Sequence, residues 1–94
     1  MHKNIILKIY GRVQGVGFRY STMMKARELG IKGFVKNNYD GSVYIEAEGE
    51  EKILNYLIDW CKKGPRLANI NDVFINEGEL MNYKNFKLNR QNGC

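Results

Sequence analysis

GRVQGVGFR, residues 11–19, sets Gly11, Gly15 and Gly17 within seven positions and ends on Arg19, directly ahead of a segment with helical spacing. Glycine lets the backbone turn where a side chain would clash and lets a ligand come close to peptide N–H groups. Successive amides in such a turn form a concave anion site. A helix N-terminus behind it adds unpaired N–H groups and partial positive charge. Arginine supplies a planar fork of donors suited to phosphate. The stretch therefore reads as a site for a compact oxyanion, phosphate first among them. The plain alternative is a strand-to-helix bend with a solvent-facing arginine.

Outward from this stretch the periodicities are clear. Ile5, Leu7 and Ile9 alternate with Ile6, Lys8 and Tyr10, which predicts a first strand with one buried face, ended by Gly11. Residues 20–29 predict a helix with Met23, Ala26 and Leu29 along one stripe and Gly30 as its C-cap. Residues 31–37 and 42–48 predict a hairpin around the turn residues NNYDG at 37–41; Val43, Ile45 and Ala47 share a face and Gly49 breaks the second strand. Residues 50–62 repeat at helix spacing, with Ile53, Leu57, Trp60 and Cys61 on one face widened by Leu54 and Ile58. Gly64-Pro65 stops the helix. Residues 68–77 hold a fourth strand, and 85–89 a short fifth strand or a returning edge. This order matches the split βαβ arrangement of an α+β fold, with two helices on one face of a four- or five-stranded, mainly antiparallel sheet.

The 94 residues argue for one domain, 1–94, and a hydrophobic share of 44% is that of a globular chain. A net charge of +5 favours anionic ligands without separating nucleic acid from a small phosphorylated molecule, and no polybasic block occurs. Cys61 reads as a small hydrophobe on a helix and Cys94 as a terminal residue. A disulfide between them is not expected, so a reducing, cytoplasmic compartment is the default. The first residues lack the apolar region and cleavage site of a leader, and no apolar run reaches membrane-spanning length.

The glycine stretch lacks the GxGxxG of dinucleotide-binding folds and the GxxxxGK of phosphate-binding P-loops. His2, the only histidine, falls in a terminus expected to be mobile, so neither Ser-His nor Cys-His catalysis has a candidate. Glu46, Glu48, Glu50 and Glu51 read as solvated or helix-dipole-complementing carboxylates, and no His or Cys cluster predicts a metal. KGFV at 32–35 is a poor match to an RNA-recognition strand, so Phe34 reads as a core or helix-packing residue and nucleic acid is not expected as a partner.

Residues 11–19, with GFVKNNYDGSV at 33–43, Gly49 and Gly64-Pro65, closely resemble the acylphosphatase family across almost the whole chain. The resemblance implies a ferredoxin-like sandwich that hydrolyses the carboxyl–phosphate bond of small acylphosphates without metal or cofactor, releasing inorganic phosphate. By resemblance, Arg19 is the phosphate ligand and Asn37 orients the attacking water. The main chain of Gln14, Gly15, Val16, Gly17, Phe18 and Arg19 holds the phosphate oxygens, while Thr22 and Ser42 support the site. Asn38 stands where relatives often carry Thr or Ser. The ending NFKLNRQNGC departs from the family, and that departure is expected to bear on stability more than on chemistry. A monomer without membrane association is the simplest assembly, and a noncatalytic anion-binding or interaction module is the alternative reading.

Overall fold

The computed structural model describes residues 1–89. Its elements are β1 (His2–Arg12), α1 (Phe18–Glu28), β2 (Lys32–Asn37), β3 (Val43–Glu50), α2 (Glu51–Lys63), β4 (Asn69–Gly78) and β5 (Phe86–Leu88). They form one five-stranded sheet in the order β4-β1-β3-β2-β5, antiparallel at every pairing except the parallel contact of β2 with β5. The ferredoxin-like α+β arrangement expected from the sequence is present.

Strand alternation sorts the two sheet faces. Ile5, Leu7 and Ile9 of β1, Val43, Ile45 and Ala47 of β3 and Val35 of β2 are buried together with Ala26 of α1 and Leu54, Leu57 and Cys61 of α2. Register places Ile5 opposite Ala47, Leu7 opposite Ile45 and Ile9 opposite Val43, so the inner residues stack in rows beneath the helices. Phe18 and Trp60 meet edge to face at 5.7 Å, joining the start of α1 to the end of α2. Burial pushes the Cys61 thiol well above its ordinary range, consistent with an inert small hydrophobe. Cys61 is free, while the expectation for Cys94 lies outside the described residues.

Several element ends differ from the pattern reading. β1 does not stop at Gly11 but runs to Arg12, with a register shift against β4 between Tyr10 and Gly11. β3 does not break at Gly49, because Gly49 pairs with Lys3 and Glu50 with His2. His2 therefore lies in a paired strand, and the amino terminus is tied by an ion pair of 2.8 Å between the Met1 ammonium and Glu50. Helix α1 starts at Phe18, two residues before the expected position. Its N-cap is Gly17 and makes no side-chain hydrogen bond, so the Ser, Thr, Asp or Asn that usually marks a helix start is missing. At its other end Gly30 N–H donates to Arg27 O and Ile31 N–H to Ala26 O, the paired bonds of a Schellman stop.

Phe34 faces away from the helices, since its neighbours Gly33 and Val35 point inward; its ring stacks on Tyr44 at 5.8 Å. It is neither a core nor a helix-packing residue. Glu48 also departs from expectation, being buried on this outer face rather than solvated.

Leu57 is fully buried on α2, and Leu57→Ala should destabilise the fold by about 3 kcal/mol through lost burial and the cavity left behind. Urea unfolding should show a lower midpoint at unchanged slope; an unchanged midpoint would contradict the packing described.

Candidate active site

The loop between β1 and α1 is built on two left-handed glycines, Gly15 at φ 75° and Gly17 at φ 79°. Side chains disfavour this conformation, and a Cβ at either position would project into open space, so the constraint is the backbone itself. No backbone carbonyl among the described residues accepts from the N–H groups of Gln14, Gly15, Val16 or Gly17. Phe18 and Arg19 follow as the first residues of α1, where N–H groups have no intrahelical partner. The chain thus gathers unpaired donors at the positive end of a helix.

These residues open onto a pocket of about 300 Å³ lined by Val13, Gly15, Gly17, Phe18, Arg19, Tyr20, Asn37 and Leu88. Asn37 enters because it ends β2 on the inner face, in phase with Gly33 and Val35. Its Oδ1 is buried and finds no hydrogen-bond partner among the described residues. An unpaired buried acceptor beside a pocket is poised to accept from a bound water or substrate. Arg19 is half-buried, and its Nη1 donates to the carbonyl oxygen of Asn89 at 3.2 Å. Leu88 and Asn89, the last described residues, therefore reach the pocket. The described part of an ending expected to bear on stability more than on chemistry thus also touches the pocket.

Gln14 joins the loop to the hairpin turn. Its Nε2 donates to the carbonyl oxygens of Asn38 at 2.8 Å and Ser42 at 2.9 Å, which holds the residue next to Asn37 against the glycine loop. The Gln14 side chain is thereby committed to the protein. Ser42 is fully buried; its hydroxyl donates to Asp40 Oδ1 at 2.6 Å and accepts from Asn38 Nδ2 at 3.0 Å. It closes the turn rather than touching the Asn37 side chain. Asp40 was not singled out from the sequence, although an Asp two residues before a turn-closing Ser is an Asx-turn signal. Its Oδ1 accepts from the Ser42 hydroxyl and backbone N–H and its Oδ2 from Tyr10; these bonds, with Lys8 nearby, hold its carboxyl below the usual range.

Thr22 lies one turn beyond Phe18, fully buried, and its hydroxyl has no hydrogen-bond partner among the described residues. It does not line the pocket. Val16 packs against the core beside the loop. Among the described residues no three His, Cys, Asp or Glu side chains gather where they could hold a metal ion.

The family model described as acylphosphatase matches residues 5–88. An acylphosphatase of Archaeoglobus fulgidus is 52% identical over 86 residues, spanning 89% of this chain and 97% of the relative. The crystal structure of acylphosphatase from Bacillus subtilis superposes with a TM-score of 0.89 at 36% identity, over 94% of this chain and 98% of that one. The acylphosphatase structure from Coxiella burnetii gives 0.90 at 35% identity, over 94% and 93%. With the glycine loop, Arg19 and Asn37 meeting at one pocket, these likenesses show that the chain belongs to the acylphosphatase family and hydrolyses acylphosphates to a carboxylate and inorganic phosphate.

Proposed function

We propose that the main-chain N–H groups from Gln14 to Arg19 hold the phosphoryl oxygens, that the Arg19 guanidinium neutralises them, and that Asn37 orients the attacking water. The observation that carries this reading is the convergence of the left-handed glycine loop, the first turn of α1, Arg19 and Asn37 on one pocket. Water oxygen attacks phosphorus, the bond from phosphorus to the acyl oxygen breaks, and the electron pair leaves with the carboxylate. A carboxylate is a weak base, so its departure needs little help from a general acid. Catalysis then reduces to holding the phosphoryl group, aligning water and stabilising charge as the geometry changes. An asparagine amide is not basic at neutral pH, but its oxygen can accept from the water and aim a lone pair at phosphorus. Among the described residues no carboxylate or histidine lines the pocket, which supports transfer of the water proton to a phosphoryl oxygen of the substrate itself.

Thr22 and Ser42 act behind these groups, Thr22 through the first turns of α1 and Ser42 through the turn that carries Asn37. The substrate is a small acylphosphate bound mainly by its phosphate, in a monomeric enzyme that engages neither nucleic acid nor membrane. A free, buried Cys61 supports a reducing cytoplasmic setting. No helix among the described residues is long and apolar enough to cross a membrane.

The test is phosphate release from benzoyl or acetyl phosphate in EDTA. Wild-type turnover should persist with the chelator, and Arg19→Ala should lower kcat/KM by about 10²–10³-fold. Asn37→Ala should lower kcat by about 10²-fold while inorganic phosphate binds nearly as before, because water placement rather than the anion cradle is lost. Equal loss of turnover and phosphate affinity in a folded Asn37→Ala would reject that division of labour. A folded wild-type protein with no turnover above spontaneous hydrolysis would favour the noncatalytic binding module.

Rate against pH should follow ionisation of the substrate phosphate, with His2→Ala giving a superimposable profile. A limb that disappears in that variant would identify a protein base instead.

A further inference from the structure

Glu48 is the only charged side chain among the buried described residues, with 2% of its surface exposed, and the site reading assigns it nothing. It lies on the sheet face opposite the helices, in register with Asn4. Its carboxylate accepts from Asn4 Nδ2 at 2.9 Å, from the backbone N–H of Met81 and from that of Tyr83 at 3.1 Å. The same Asn4 amide donates to Glu46 at 2.9 Å, so two carboxylates share one donor. No ion pair reaches Glu48 among the described residues. A buried carboxylate without a cation is tolerated only when hydrogen bonds replace its hydration. Here every donor except Asn4 comes from the irregular segment between β4 and β5.

From that segment a continuous set of contacts leads to the phosphate pocket. The Tyr83 ring meets Phe34 edge to face at 5.9 Å, and Asn85 O accepts from Gly33 N–H at 2.9 Å. Arg27 of α1 donates from Nε and Nη2 to Phe86 O at 3.1 and 2.9 Å. Asn89 N–H donates to Val35 O at 2.8 Å, and Asn89 O then receives Arg19 Nη1. β5 is only three residues long, so its placement depends on what anchors its ends.

We propose that Glu48 is a positioning residue for the phosphate site: its carboxylate anchors residues 81–83, the anchor sets where β5 lies on β2, and β5 presents the Asn89 carbonyl that holds the Arg19 guanidinium. The inference rests on Arg19 as the phosphate ligand. It gives a buried acid on the far sheet face a function in binding. Burial raises the Glu48 pKa, but the bonds from Asn4, Met81, Tyr83 and Asn82 outweigh it and hold the carboxyl below its ordinary value, so the anchor is ionised at neutral pH.

Glu48→Met keeps side-chain length and removes both acceptor oxygens, whereas Glu48→Gln keeps one. In Glu48→Met, KM for benzoyl phosphate and the inhibition constant of inorganic phosphate should each rise about tenfold, with part recovered in Glu48→Gln. Leu57→Ala, destabilised in the core away from β5, should retain the wild-type KM. In the Arg19→Ala background, Glu48→Met should change kcat/KM by less than about twofold, because the route through Arg19 is already cut. A folded Glu48→Met with wild-type KM, or the same loss in both backgrounds, overturns the inference. If Glu48→Met does not fold, hydrogen exchange in Glu48→Gln decides: faster exchange at Asn89 with α2 unchanged supports the anchor, and unchanged exchange at Asn89 overturns it. Wild-type kinetics in Arg19→Ala would instead defeat the Arg19 reading, and the anchor role with it.

Discussion

The antiparallel register of β1 on β3 is the constraint from which the site follows. Pairing Ile9 with Val43 brings the exit of β1 beside the entry of β3, so the glycine loop and the hairpin turn emerge at the same end of the sheet. That register is strongly specified, because a slip of one residue would set Leu7 opposite Tyr44 or Glu46 and turn the apolar set of one strand to the outer face. Once loop and turn are neighbours, a single amide suffices to lock them. Gln14 Nε2 bridges two carbonyls of the turn, and Asn37 is carried to the loop as a consequence. The convergence of the glycine loop, Arg19 and Asn37 is thus a product of strand pairing before it is a property of individual side chains.

The two faces of the sheet divide the work differently. The inner face is apolar and supplies the burial that holds the helices. The outer face carries Phe34 stacked on Tyr44, Lys36 over the Tyr44 ring at 5.2 Å, and the Glu48 carboxylate beneath residues 81–83. Tyr83 joins this layer; burial, its hydrogen bond to Glu46 and the charges of Glu46 and Glu48 push its phenol up to about 12. A polar, hydrogen-bonded layer of this kind constrains direction more narrowly than apolar contact. That suits a surface whose job is to fix a segment leading back to Arg19.

Most of the fold was legible because its signals are periodic: Ile5, Leu7 and Ile9 announce a strand face, and Ile53, Leu57, Trp60 and Cys61 a helix stripe widened by Leu54 and Ile58, of which Leu54, Leu57 and Cys61 are the fully buried ones. The glycine loop and Arg19 were legible as a motif, since glycine spacing and an adjacent arginine carry a backbone meaning, whereas Asn37 was reached only through the family resemblance of residues 33–43. Apart from Asp40, what escaped had no local signal. A helix capped by glycine alone does not advertise its start at Phe18. Gly49 reads as a breaker unless the pairing with Lys3 is known, and that same pairing makes an ordered strand residue of His2. Phe34 and Glu48 depend on which side of the sheet faces the helices and on a segment more than thirty residues away. The bond from the Arg19 guanidinium to the Asn89 carbonyl is a long-range contact to backbone, for which no sequence pattern exists.

The central claim is that a backbone cradle at residues 14–19, completed by Arg19, binds the phosphoryl group. The most direct measurement is a titration of isotopically labelled protein with inorganic phosphate, followed by amide and arginine side-chain NMR signals. The account predicts one saturable process with the largest shifts at the amides of Gly15 to Arg19 and at the Arg19 guanidinium, and a smaller response at the Asn37 side chain. Saturable shifts centred elsewhere, such as the basic cavity lined by Lys84 and Lys87, with the glycine loop silent, would contradict it.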